Sequence, residues 1–165
     1  MDKVDISVVL PVFNERENIS PLLADLNESL AGTGKTFEII FIDDGSTDGS
    51  LEKLKELQGL DPNVLVIEFR RNFGQTAALA AGLRHSNGEV VITLDADRQN
   101  DPKDIPMLLN EIDKGMDLVC GWRHDRKDGL WLRLLPSRIA NRLISMTTDV
   151  KLNDYGCTLK AMRRD

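Results

Sequence analysis

The chain is poor in the groups that most often announce a mechanism. It has two histidines, two cysteines and one tyrosine in 165 residues. His85 and His124 lie far apart, make no metal pair and are expected to be polar surface residues. Cys120 and Cys157 cannot build a disulfide scaffold and are expected to stay reduced in a cytoplasmic setting. No stretch of about 18 consecutive apolar residues occurs, so nothing in this sequence reads as a membrane-spanning helix. The first residues, Met-Asp-Lys-Val-Asp, lack the basic-then-apolar order of a signal peptide. No Gly-x-Gly-x-x-Gly follows the first apolar run, which counts against a dinucleotide oxidoreductase. No Gly-x-x-x-x-Gly-Lys-Ser/Thr phosphate loop and no Gly-x-Ser-x-Gly nucleophile elbow is found. Asn14-Glu15 stands where a sugar nucleotidyltransferase would carry a Gly-rich basic loop.

What is present is ordinary for a globular domain, with 41% hydrophobic and 29% charged residues. The net charge of −6 argues against a nucleic-acid partner. That charge is unevenly spread. Residues 1–120 carry 11 Lys+Arg against 22 Asp+Glu, whereas residues 121–165 carry 10 against 5. An acidic first part and a basic last part suit two different ligands or surfaces, although unevenly solvated helix faces would produce the same asymmetry.

Short β-rich apolar runs alternate with stretches of helical spacing. Strands are expected at Ile6–Phe13, Phe37–Ile42, Val64–Phe69, Glu89–Leu94 and Asp117–Gly121, and helices at Glu17–Leu30, Leu51–Leu60, Gln75–His85 and Ile105–Lys114. The first helix places Ile19, Leu22, Leu23, Leu26 and Leu30 on one face. Such alternation implies an α/β domain with an open, mostly parallel sheet flanked by helices, whose ligands bind beyond the carboxyl ends of the strands. After Gly121 the pattern changes. Arg123–Gly129 reads as a charged loop. Leu130–Met146 reads as a basic amphipathic helix, suited either to an anionic membrane surface or to core packing with a solvated basic face. Cys157–Arg163 reads as a last strand. The chain stops just after it, which gives the expectation of a C-terminal truncation.

Three strand ends carry unusual residues. At the first, Pro11 fixes the backbone and brings Asn14 and Glu15 to the crevice, where Asn14 could equally be a helix cap. At the second, Asp43 and Asp44 open a run through Ser50 that is rich in turn and cap residues. Two adjacent carboxylates at a buried strand end repel unless donors or a cation satisfy them, and one could accept hydrogen bonds from a uracil or guanine ring, or from ribose. At the fourth, Asp95 and Asp97 share a side if the extended backbone persists, with Gln99 able to join them. Hard oxygen ligands suit Mg²⁺ or Mn²⁺, with a diphosphate completing the shell, although an acidic turn before Asp101-Pro102 would use the same residues.

Taken together, Val9–Ile19, Glu38–Ser50, Arg71–Gly82 and Gly88–Pro102 resemble family 2 glycosyltransferases of the GT-A fold. Within that family they look most like the polyprenyl-phosphate glycosyltransferases, the group that includes the dolichol-phosphate mannose synthases. Gly121-Trp122-Arg123, Ser137 to Asn141, Asn153 to Cys157 and Arg163-Arg164 extend the match. The resemblance implies one catalytic domain over 1–165, with a nucleotide-sugar-binding part at 1–121 and an acceptor-side part at 122–165. Pro11, Phe13 and Glu15 would line the nucleotide pocket with Asp43, Asp44 and Asp95. Asp95, Asp97 and Gln99 would hold the divalent cation, and Asp97 and Asp154 would be catalytic. Arg123 and Arg138 would meet the acceptor phosphate. Phe13 departs from a frequent tyrosine, and Arg98 from a frequent leucine, which sets an extra cation beside the metal motif.

The implied reaction is inverting transfer of a sugar from a UDP- or GDP-linked donor to a polyprenyl phosphate (undecaprenyl or dolichyl). It would take place at the cytoplasmic face of a membrane, reached through segments absent from this chain. Asp154-Tyr155-Gly156-Cys157 resembles the bacterial aminoarabinose-type transferases and favours uridine. A phosphate monoester, with a second pKa near 6, is already nucleophilic at neutral pH, so Asp154 would orient an arginine or the substrate rather than act as a base. Two other readings stay open. One is a family 2 transferase acting on a sugar hydroxyl, although the Gln-x-x-Arg-Trp signature of processive synthases is absent. The other is a non-catalytic nucleotide-sugar-binding module.

Overall fold

The computed structural model describes residues 3–121 and 157–164. Its elements run β1 (Ile6–Val12), α1 (Arg16–Ala31), β2 (Phe37–Asp43), α2 (Ser50–Leu60), β3 (Val64–Glu68), α3 (Gln75–His85) and β4 (Val90–Thr93). A single 3₁₀ turn (Pro102–Asp104) then leads into α4 (Ile105–Asp113), β5 (Leu118–Cys120) and β6 (Lys160–Arg163). Every strand and helix expected within these residues is present, with α3 matched at both ends and no end displaced by more than three residues. The Leu130–Met146 stretch lies outside the described residues.

The sheet order is β3-β2-β1-β4-β6-β5. Strands β1 to β4 pair in parallel, as the alternation requires. β6 enters between β4 and β5 and runs antiparallel to both. The sequence reading does not foresee this, because an apolar run carries no direction. It also makes β6 shorter than expected. Cys157 to Leu159 serve the β4 end instead, where the Thr93 hydroxyl donates to the Thr158 carbonyl at 2.7 Å.

The larger core packs α1, α2 and α4 on one face of the sheet. Ile19, Leu22, Leu23, Leu26 and Leu30 of α1 are all buried there, each contributing roughly 1.5–3 kcal/mol of transfer free energy. On the other face α3 packs on Val9, Ile40, Ile42 and Val91. Its approach is close at Gly82, where an added Cβ would lie 2.3 Å from Val9 Cγ1 and 2.7 Å from Ile42 Cδ1. The alanine and glycine content of α3 thus serves contact with the sheet as well as helix propensity. Gly34-Lys35-Thr36, the one piece of a phosphate-loop motif in the sequence, joins a helix to a strand, the reverse of the strand-to-helix order such a loop needs. No helix among the described residues is long and apolar enough to cross a membrane.

Candidate nucleotide and metal site

Between β1 and β4 the sheet order reverses, and an open cleft of about 280 Å³ lies there, beyond the carboxyl ends of the strands. Pro11, Phe13 and Glu15 from the β1 end line it, with Asp44 from the β2 end, Asn72, Gly74 and Gln75 from the β3–α3 connection, and Asp95 and Asp97 beyond β4. Pro11 costs no ladder hydrogen bond. The Val9 carbonyl accepts from Leu94 and the Val12 carbonyl from Asp44, so the missing Pro11 amide faces the side where β4 has already ended.

Asn14 is not the helix cap. It takes a left-handed conformation at φ 58°, and Glu15 occupies the cap position of α1 without a capping side-chain bond. Asn14 instead fastens two loops together: its amide donates to Ser46 Oγ at 3.0 Å and its Oδ1 accepts from the Thr47 amide at 2.8 Å. Alongside, the Glu15 amide donates to Ser50 Oγ and the Arg16 amide to Asp48 Oδ2, so the connection from β2 to α2 satisfies the first amides of α1. The Glu15 carboxylate accepts from Asn18 Nδ2 at 2.6 Å.

Burial pushes the Asp48 carboxyl up, but hydrogen bonds from the Ser50 hydroxyl and from the Arg16 and Ser50 amides outweigh it and hold the group below its ordinary 3.8. A carboxyl that ionises more readily when folded stabilises the fold above its unfolded pKa, and that stability is lost as pH falls through the lowered value. Asp48→Asn is therefore expected to lower Tm near pH 7, with the gap from the unsubstituted protein closing below about pH 4. Thermal melts across that range check it, and a gap that stays constant with pH would contradict it.

The adjacent Asp43 and Asp44 part company. Asp44 lines the cleft, and its two oxygens accept the Phe73 amide at 2.7 Å and the Gly74 amide at 2.9 Å. A carboxylate has further lone pairs, so this anchoring leaves it able to accept from a ligand. Asp43, expected beside the nucleotide, does not line the cleft. As the last β2 residue it faces inward at 1% exposure, with Oδ2 accepting from the Ser46 amide and Oδ1 buried without a partner among the described residues.

Asp95 and Asp97 both line the cleft, but not through strand alternation. β4 ends at Thr93, and a turn through Ala96 and Asp97 brings them to one side. Asp97 Oδ1 accepts the Gln99 amide at 3.0 Å, closing that turn, and Asp95 Oδ1 accepts from Gln75 Nε2 at 2.7 Å. Gln99 itself is not among the cleft residues; the turn carries it into a neighbouring depression with Asp25 and Lys103. Arg98 does not sit on the carboxylate pair either. At φ 60°, its guanidinium reaches Asp25 of α1 at 3.1 Å. Behind the turn, buried Asn100 donates to Thr158 Oγ1 at 3.2 Å and accepts from Cys157 Sγ. Both cysteines are unbridged thiols.

The sequence reading misses Asn72, Gln75 and Asn100 as site or support residues. Arg71–Gly82 does enter the family match, which is the signal that could have found the first two. Arg123, Arg138 and Asp154 lie outside the described residues.

Among the described residues that line the cleft, four are acidic and none is basic. Such a cleft repels a diphosphate unless a cation intervenes. Among the described residues no three His, Cys, Asp or Glu side chains cluster as a protein cage. Two carboxylates with substrate phosphates and water completing the shell is the arrangement Mg²⁺ ordinarily takes, and Asp95 with Asp97 fits it.

The family model for glycosyl transferase family 2 matches residues 7–165. The chain belongs to that family. Among curated proteins, this family 2 chain is 44% identical over 165 residues to the dodecaprenyl-phosphate galacturonate synthase of Rhizobium johnstonii, covering 99% of the chain and 49% of the relative. It is 45% identical over 159 residues to the undecaprenyl-phosphate 4-deoxy-4-formamido-L-arabinose transferase of Edwardsiella ictaluri, covering 96% and 49%. It thus spans about half the length of the curated relatives it matches. Among solved structures, the family 2 chain superposes on a mannosyltransferase from Pyrobaculum calidifontis in complex with GDP-Man and Mn²⁺. The TM-score is 0.68 at 21% identity, over 99% of this chain and 46% of that one, which shows a shared GT-A fold.

Proposed function

We propose that this chain is the catalytic domain of an inverting glycosyltransferase that moves a sugar from a nucleoside diphosphate to a polyprenyl phosphate at a membrane surface. The acid-lined cleft at the sheet's switch point carries this reading, because it needs a cation to accept a diphosphate and offers Asp95 and Asp97 to hold one. The two curated relatives, both named for transfer to a polyprenyl phosphate, support the acceptor class.

In this reading Pro11 and Phe13 give the nucleoside an apolar floor, while Asp44 and Asn72 offer it hydrogen-bonding groups. Asp95 and Asp97 hold Mg²⁺ or Mn²⁺, which when bound neutralises charge on the departing diphosphate. The acceptor phosphate attacks the anomeric carbon from the opposite side, and configuration inverts. The bond to the acceptor oxygen forms as the bond to the diphosphate breaks. Arg123 and Arg138, in the acceptor-side part at 122–165, would hold the acceptor phosphate, since guanidinium matches its oxygens in a fork. Asp154 would orient them.

The test mixes the protein, Mn²⁺ and undecaprenyl phosphate with radiolabelled UDP- and GDP-linked sugars. Label is expected in the organic phase only when Mn²⁺ is present, on a product of inverted anomeric configuration. Label on a sugar hydroxyl would overturn the acceptor assignment, and donor binding with no turnover would overturn the transferase reading.

A further inference from the structure

We infer that Gln75 is a positioning residue for the metal site: it sets the Asp95 carboxylate for the cation while leaving its charge intact. This deepens the function proposed above and rests on it. Gln75 is the first residue of α3, and its Nε2 donates to Asp95 Oδ1 at 2.7 Å. Its backbone is held from both sides. Upstream, both Asp44 oxygens clamp the Phe73 and Gly74 amides. The Phe73 ring stands edge-on to Phe69 at 5.6 Å, with the Arg71 guanidinium 4.8 Å from its centroid. Downstream, α3 is seated on the sheet through buried Ala78 and the close contact at Gly82. The side chain therefore projects from a fixed point on one wall of the cleft to the carboxylate on the other.

The choice of amide matters. A lysine or arginine here would also hold Asp95, but it would cancel the charge a cation needs. A neutral N–H donor orients one oxygen and leaves the carboxylate anionic. Outer-shell partners of this kind typically govern metal affinity by about 10–100-fold. The arrangement also joins the two halves of the cleft, because the Asp44 that faces the nucleoside side anchors the loop that delivers Gln75 to the metal side.

The experiment is a double-mutant cycle on UDP binding by calorimetry, with Mn²⁺ and with EDTA. Gln75→Leu is expected to weaken UDP binding in Mn²⁺ by about tenfold or more, to leave binding in EDTA within about twofold, and to leave Tm nearly unchanged. In an Asp95→Ala background the same substitution is expected to have no further effect on the Mn²⁺ dependence. Equal weakening with Mn²⁺ and with EDTA would make Gln75 a nucleotide contact or a structural residue and overturn the inference. So would additive losses in the double variant. If the unsubstituted protein shows no Mn²⁺-dependent UDP or GDP binding, the proposed function falls and takes this inference with it. If it binds normally and only the cycle fails, the function stands.

Discussion

Asp97→Ala is expected to abolish Mn²⁺-dependent nucleotide binding, with a loss of on the order of a hundredfold or more, since loss of a mere supporting partner already costs about 10–100-fold. Turnover should fall by roughly 10²–10³, the range seen when one charge-stabilising group is removed from a developing anion. The alanine also deletes the acceptor for the Gln99 amide and so loosens the turn. Asp97→Asn separates the two effects, because it keeps an Oδ1 that can accept that amide and removes only the charge. Both variants should lose the metal dependence, and Asp97→Asn should keep the Tm. If Asp97→Asn retains Mn²⁺-dependent binding, Asp97 is a turn residue and no more.

The second large effect is expected from Gly45→Ala. Gly45 sits at φ +73°, and an added Cβ would lie 2.4 Å from the Arg71 carbonyl carbon and 2.6 Å from the Asn72 nitrogen. Both obstacles are backbone, so no rotamer relieves them. The connection carrying Asn72, Gly74 and Gln75 must move away from the end of β2, and the amides that Asp44 holds move with it. Backbone strain and overpacking together should destabilise the protein by about 2–4 kcal/mol. UDP affinity should fall at least tenfold at temperatures where the variant is still folded. Gly34→Ala is the control. It has a similar φ of +67° but nothing within 4 Å of the added methyl, so it should cost about 1–2 kcal/mol of backbone strain and leave nucleotide binding unchanged. Equal binding by the two variants would show that the loop's seat on Gly45 does not shape the cleft.

These two sites show what was readable in the sequence and what was not. The alternation of apolar runs and helical faces gives the sheet, its helices and the crevice, because each element's period is written locally. The Asp95–Asp97 pair is readable for the same reason: two carboxylates at a strand end are conspicuous, even though a turn brings them together and not the extended strand geometry. Asp43 and Gln99 look equivalent to their neighbours in sequence, but one backbone step turns Asp43 into the core and Gln99 out of the cleft. Asp48 and Ser50 are turn residues, as their composition suggests, yet Asp48 accepts the first amide of α1 as well as that of α2, and the Ser50 hydroxyl accepts the Glu15 amide. Gln75 is invisible locally. A glutamine opening a helix has no distinctive spacing, and its role comes from Asp44, far upstream at the end of β2, holding the preceding amides. The antiparallel insertion of β6 is likewise a long-range fact, fixed by pairing with β4 and β5.

In the proposed function the acid-lined cleft takes a nucleoside diphosphate only together with a divalent cation. Titrating UDP and GDP into the protein, each with Mn²⁺ and with EDTA, tests it most directly. Tight binding of one nucleotide is expected in Mn²⁺, weakened at least tenfold by EDTA and lost in Asp97→Asn. Binding that is indifferent to the metal, or absent for both nucleotides in Mn²⁺, would contradict it.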